Sequence, residues 1–183
     1  MDANAETLAN GNLIFAGLRG ADLAEAKLED AILINADLMG ARLSRGNLKH
    51  ALMSGANLES SNLEGAQLTG ADLRRTKLHK ALMATAEMTS TSLIRADLSK
   101  AVLTGASLIK ANLFRANLEG AELRGANLEE ANLCGACLIG ADLTDASLTN
   151  TLYDDETQWP ADVQPPNRGA VRHKKKWRFW PFS

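Results

Sequence analysis

From Leu8 to Leu148 every fifth residue is Leu or Met, 26 Leu with Met53, Met83 and Met88, and the phase never slips. Two residues before each, from Leu13 on, sits a small side chain. From Gly11 to Ala146 this position is Ala in 23 of 28 cases, with Gly11, Gly46, Ser61, Thr76 and Thr91 filling the rest. A helix advances its side chains by about 100° per residue, so leucines five apart would be smeared around it. A straight strand alternates faces at every residue, so a step of five would turn each successive Leu to the opposite side. Neither element buries all of these positions. The chain must bend once per pentapeptide, always in the same direction, and wind around a central axis. Leu then points inward on every side. The small residue also points inward, where it leaves room for a neighbouring Leu. Coils of this kind stack into a solenoid.

The unit, as in Ala21-Asp22-Leu23, Ala56-Asn57-Leu58 and Ala126-Asn127-Leu128, resembles the pentapeptide-repeat family. The resemblance covers about four fifths of the chain. It implies an all-β fold, a right-handed quadrilateral parallel β-helix of about seven coils with twenty residues each. At about 4.8 Å between paired strands the rod would be on the order of 34 Å long. Burying each Leu contributes about 1.5–3 kcal/mol. Met adapts to irregular gaps and can replace it. Asn and Asp immediately before Leu bond nearby backbone and are expected to hold the corners.

The repeat ends near Thr151-Leu152-Tyr153, and Asp154-Asp155-Glu156-Thr157-Gln158-Trp159-Pro160 breaks it. This stretch is similar to a Tyr-(Asp/Asn)-x-x-Thr-x-(Trp/Phe)-Pro segment that closes many cyanobacterial members of the family. It predicts a cap in which Tyr153 and Trp159 lie over the last Leu layer. The expected organisation is a lead-in over 1–10, the β-helix over 11–152, a cap over 153–166, and a flexible basic aromatic tail over 167–183. Glu6 occupies the first small position, so the first coil is expected to be incomplete. An open solenoid end invites pairing, and the chain is expected to be a monomer or an end-to-end dimer.

Aromatic residues make up only 4% of the chain, and all three Trp lie beyond residue 158, so the core is aliphatic and narrow. Such an interior leaves no room for a ligand pocket of ordinary size. His50, His79 and His173 are scattered, and no phosphate-cradling loop is present. No catalytic activity, metal or cofactor is expected. Cys134 and Cys137 have C-x-x-C spacing, but no second pair or nearby His completes a zinc set. They read as outward surface residues. No apolar run is long enough to span a membrane. No basic stretch followed by an apolar one opens the chain, so a cytoplasmic location is expected.

Four sides per coil allow the outward residues to be sorted. The side centred on Leu13, Leu33, Met53, Leu73, Leu93, Leu113 and Leu133 is distinctive. Its outward positions include Ile14, Phe15, Ile34, Arg74, Arg75, Ile94, Arg95, Phe114 and Arg115. Exposed apolar residues mark partner surfaces, and Arg and aromatics are enriched at interfaces. This side is the candidate surface for a protein partner of unknown identity. The other three sides mix charges, with Lys27, Glu29, Arg42 and Glu64 among them, as a solvated face does.

The tail is the compositional outlier. Residues 1–152 carry 14 basic and 18 acidic residues, net −4, whereas 168–183 carry six basic residues and no acid. Arg172, Lys174, Lys175, Lys176 and Arg178 are interleaved with Trp177, Phe179, Trp180 and Phe182. Such a tail suits an anionic membrane surface or a protein partner, which would make the chain membrane-peripheral. Stacking on nucleic acid is a weaker reading.

The leading expectation is a non-catalytic interaction module or scaffold, regulatory in a cyanobacterium. The resemblance supplies the analogy: some cyanobacterial relatives act in heterocyst regulation through protein contacts. Fluoroquinolone-resistance members of the family suggest another role, a DNA mimic that modulates DNA gyrase. This sequence departs from them in its nearly uniform Leu centres, its mixed surface charge, and the lack of an amphipathic C-terminal helix.

Overall fold

The computed structural model describes residues 8–173. Residues twenty apart form parallel β-bridges, from Asn12 with Ile32 to Asn132 with Leu152. Four pentapeptides therefore make one coil, and the register is unbroken across the repeat. Each side is so short that it contributes a single bridge, at the residue before Leu. The hydrogen bonds run in both directions along the rod. Leu33 N–H donates to Leu52 O at 2.7 Å in the next coil, while Leu52 N–H donates back to Ala31 O at 2.9 Å.

The corners follow from the residues after Leu. Met53 O accepts from Ala56 N–H at 3.0 Å, closing a β-turn whose third residue, Gly55, has φ 72°. The same position takes positive φ at each corner from Asn10 to Asn150. For an L residue such as Arg75 (φ 57°) this costs of order 1 kcal/mol, tolerated because the ladders on both sides impose it. The Asn or Asp before Leu supports the turn as expected. Asn62 Oδ1 accepts from Glu64 N–H at 2.9 Å, and Asp97 Oδ1 from Ser99 N–H at 3.0 Å.

From Leu23 to Leu148 the central Leu and Met are buried. The alanines fill the space between them. Ser61, Thr76 and Thr91 are fully buried at the small position, and each hydroxyl donates to a main-chain carbonyl at 2.7–2.8 Å, so none is left unsatisfied.

Both ends of the rod differ from the expected boundaries. Coiling is already under way at Leu8, whose carbonyl accepts from Gly11 N–H at 3.0 Å. Glu6 lies outside the described residues. At the other end Leu152–Tyr153 (β1) pairs in parallel with Val171–Arg172 (β2). A 3-10 turn, Pro165–Arg168, ends at Gly169 in the left-handed region and leads into β2. Residues 169–173 thus add to the C-terminal edge and are not a free tail there, although they lack the repeat pattern. Ala170, buried among apolar neighbours, and the β1 edge account for this docking.

The closing segment contains one residue more than the repeat allows, and Cys137 pairs with Gln158. Tyr153 and Trp159 meet edge to face at 5.7 Å and pack on the core. By the register of the bridges, Tyr153 continues the Leu133 column and Trp159 the Leu138 column, and both leucines are fully buried. Asp154 and Thr157 finish the ladder. Earlier corner N–H groups donate to the carbonyl nineteen residues on, as Glu130 does to Thr149 O. Gly135 N–H instead reaches Asp154 Oδ1 at 2.8 Å and Thr157 Oγ1 at 3.2 Å. Side-chain oxygens replace the missing coil.

Candidate functional site

On the Leu13-centred side three outward positions recur in each coil: the residue before Leu and the two after it. Because each column is stacked coil on coil, side chains from distant parts of the sequence form continuous rows about 4.8 Å apart. Near the start of the rod these rows are apolar. Ile14 is 42% and Phe15 73% exposed, Leu52 is exposed, and Ile32 and Ile34 are half-buried.

Further along, Arg74, Arg75, Ile94, Arg95 and Phe114 line one open groove of about 520 Å³ together with Ser54. Ser54 Oγ–H donates to Arg74 O at 3.2 Å across two coils. Five of the nine candidate residues are thus brought together. Ile14, Phe15 and Ile34 extend the same face toward the N-terminus without lining the groove.

The arginines of the face are in different electrostatic situations. Arg74 is clamped to Asp72 by Nε to Oδ1 at 2.8 Å and Nη2 to Oδ2 at 2.6 Å. The Arg74 hydrogen bonds hold the Asp72 carboxyl below its ordinary range, and the same bonds raise Arg74. Arg115 donates from Nη2 to Glu156 Oε2 at 3.2 Å, and its guanidinium lies 5.2 Å from the Phe114 ring centre, a cation–π contact. Among the described residues Arg75 and Arg95 make no ion pair. The ladder of three arginines thus has one end neutralised and two members available.

Cys134 is not the surface residue expected. It occupies the outward column but is 7% exposed, because the closing segment folds over it. Cys137 is half-buried, and the two form no disulfide. A second pocket of about 190 Å³ lies beside the groove, lined by Phe114, Asn132, Cys134, Leu152, Asp154 and His173.

Of the candidate contact residues in the tail Arg172 alone is described, and it pairs with Asp155, which raises the guanidinium further. Lys174, Lys175, Lys176, Trp177, Arg178, Phe179, Trp180 and Phe182 lie outside the described residues. No helix among the described residues is long and apolar enough to cross a membrane.

Glu156 was missed as a member of the face. It lies beyond the phase break, so no repeat column points to it. The Asp72–Arg74 clamp had a signal: the two flank Leu73, one on the strand and one at the corner, and so share a side.

These features define a class of protein: a right-handed, four-sided β-helix built of five-residue sides around an aliphatic axis. The family model for pentapeptide repeats matches it in eight copies over residues 12–55, 51–86, 84–120 and 111–150, and the chain belongs to that family. Its members are in general non-enzymatic structural or interaction modules, and no catalytic family is indicated.

Among solved structures the chain is similar to alr5209, a pentapeptide repeat protein from Nostoc PCC 7120, with 32% identity over 56% of this chain and 84% of that one, TM-score 0.55. It is also similar to HetL, a pentapeptide repeat protein involved in heterocyst differentiation regulation from the cyanobacterium Nostoc sp. strain PCC 7120. There the identity is 29% over 87% of this chain and 80% of that one, TM-score 0.51. Full-length QnrB1, a plasmid-mediated fluoroquinolone resistance protein, is 20% identical over 83% of this chain and 79% of that one, TM-score 0.51, a likeness of fold alone. Comparison with curated proteins returns no match.

Proposed function

We propose that this chain is a protein-interaction module that presents its Leu13-centred face to a partner, in a regulatory role of the kind HetL has in its own organism. The observation that carries the reading is the groove that Ile94 and Phe114 line together with Arg74, Arg75 and Arg95. The corners that hold these side chains are fixed by ladders on both sides, so little order remains to be imposed on binding. Preorganisation of this sort raises affinity without adding contacts. The long similarity to HetL supports a regulatory setting.

A DNA-mimic role is less favoured. Opposite charges are interspersed on the other faces and pair between coils, as Arg42 does with Asp22 at 2.9 Å and Lys110 with Glu130 at 3.6 Å. A mimic of a duplex needs long runs of one sign.

The test uses the double variant Ile94→Asp, Phe114→Asp. Polar side chains already fit this column at Ser54 and Arg74, so the fold should persist. Quantitative capture from a cyanobacterial extract should recover at least one protein with the wild-type chain and lose it with the variant. An identical set of captured proteins would remove this face from consideration.

A further inference from the structure

We infer that the groove takes an acidic segment of a protein partner, whose carboxylates complete the ion pairs that Arg75 and Arg95 lack. The inference rests on the interaction reading above and names the chemistry of the occupant.

Stacked like charges in adjacent strands repel one another. On the other faces some stacked charges are opposite in sign and pair, as Arg42 and Asp22 do at 2.9 Å. The column Arg75, Arg95, Arg115 instead places three guanidinium groups on consecutive coils. One of them shows how the repulsion is relieved. The closing segment lays Glu156 against Arg115 at 3.2 Å, with Phe114 beneath the same guanidinium. Arg95 follows Ile94 as Arg115 follows Phe114, and Arg75 follows Arg74, so the column continues toward the N-terminus along the same groove. Their acids are missing among the described residues. The protein's own Glu156 is thus the template for the carboxylates of a ligand.

Lys80 and Lys100 also stack on another face. Their outward neighbours there are His79 and Ser99, which bond each other at 2.9 Å and offer no apolar floor.

The occupant is a short acidic segment with an aromatic or aliphatic side chain, and not a nucleic acid. Asp72 and Glu156 border the available arginines, and the repeat region carries more acid than base. A continuous phosphate backbone would meet those carboxylates. Two or three carboxylates spaced about one coil's rise apart would not.

The experiment measures fluorescence anisotropy of the full chain with three labelled probes. One is a short peptide alternating glutamate and phenylalanine, the second a peptide of equal charge with serine for phenylalanine, and the third a single-stranded DNA of equal charge. The glutamate–phenylalanine peptide should saturate most tightly, and its binding should weaken as salt rises. The Arg75→Glu, Arg95→Glu double variant should lose at least about tenfold in affinity. Its Tm should be unchanged or higher, since Glu25 and Glu130 already occupy such corners with φ 58° and 57°. Glu156→Gln releases Arg115 and should tighten binding about two- to fivefold.

Equal affinity of the wild type and the arginine variant would overturn the proposal, as would tighter binding of DNA than of peptide, or no saturable peptide binding. If an extract protein is captured through Ile94 and Phe114 while no acidic peptide binds, the interface stands and the acidic occupant falls.

Discussion

The two ends of this rod solve one problem differently. Every interior coil hands its hydrogen bonds and its Leu layer to a neighbour, and the terminal coils have a neighbour on one side only. At the C-terminal end Asp154 and Thr157 accept the N–H of Gly135, Tyr153 and Trp159 pack on the core, and β2 covers part of the β1 edge. At the N-terminal end Leu8, Leu13 and Leu18 are only half-buried, and the N–H groups of Asn12 and Gly17 have no partner among the described residues. Repeat proteins derive stability from nearest-neighbour interfaces, so an open terminal repeat is the weakest element. Melting should start at the first coil and proceed toward the closed end.

The largest effect that sharpens this contrast is a cavity placed in the middle. Leu78 is fully buried between two complete coils. Leu78→Ala should cost about 2–5 kcal/mol. The same change at Leu13 removes a side chain still partly in water and should cost less than about half as much. Urea denaturation of both variants measures the difference. Equal losses at the two sites would mean that the first coil is as well covered as the middle, and the contrast between the ends would fail.

A smaller effect tests the closed end itself. Asp154 is 5% exposed, and its Oδ1 accepts from Gly135 N–H at 2.8 Å and from Glu156 N–H at 3.1 Å. Asp154→Ala would leave the Gly135 N–H with only its longer bond to Thr157 Oγ1 at 3.2 Å, at a corner where Gly135 takes φ 69° and a Cβ would lie 2.9 Å from Arg115 Cγ. The loss should be about 1–3 kcal/mol. Hydrogen exchange should speed up in residues 130–160 before any other region. Exchange in residues 130–160 that matches the wild type would show that Asp154 does not seal this end.

What the sequence disclosed follows the same division. A five-residue period forces inward Leu and one bend per unit, so the solenoid, its buried alanines and its Asn- and Asp-braced corners were readable. The groove was readable in part, since Arg75, Arg95 and Phe114 fall into columns once a coil is twenty residues long. Arg115's partner was not. Glu156 lies past the phase break, and its placement depends on how one extra residue is absorbed between Cys137 and Gln158. Cys134 was misread for the same reason. Its column points outward in every earlier coil, and only the fold of the closing segment buries it. Val171 and Arg172 join the edge through main-chain pairing, which leaves no periodic mark in side-chain identity. Order propagated by repetition was legible, and order imposed where repetition stops was not.

The smallest predicted effect concerns acid and separates the body of the rod from its ends. The folded pKa of Asp72 lies below its unfolded value of about 3.8, chiefly through the side-chain bond from Arg74. Asp142, in the last coil, is lowered mainly by the Thr144 hydroxyl. A carboxylate depressed on folding contributes stability that is fully present above the unfolded value. That contribution is lost as pH falls from there through the folded value. Tm should therefore decline slightly between about pH 5 and 3, and Asp72→Asn should flatten the decline more than Asp142→Asn. Asp72 bonds a guanidinium through both oxygens, whereas Asp142 is hydrogen-bonded by uncharged groups of Thr144 and feels Arg124 only through space. Charged partners roughly double a hydrogen bond's strength. If Asp142→Asn flattens the curve more, acid acts on the closed end, and the Arg74 clamp contributes nothing to holding the middle of the rod.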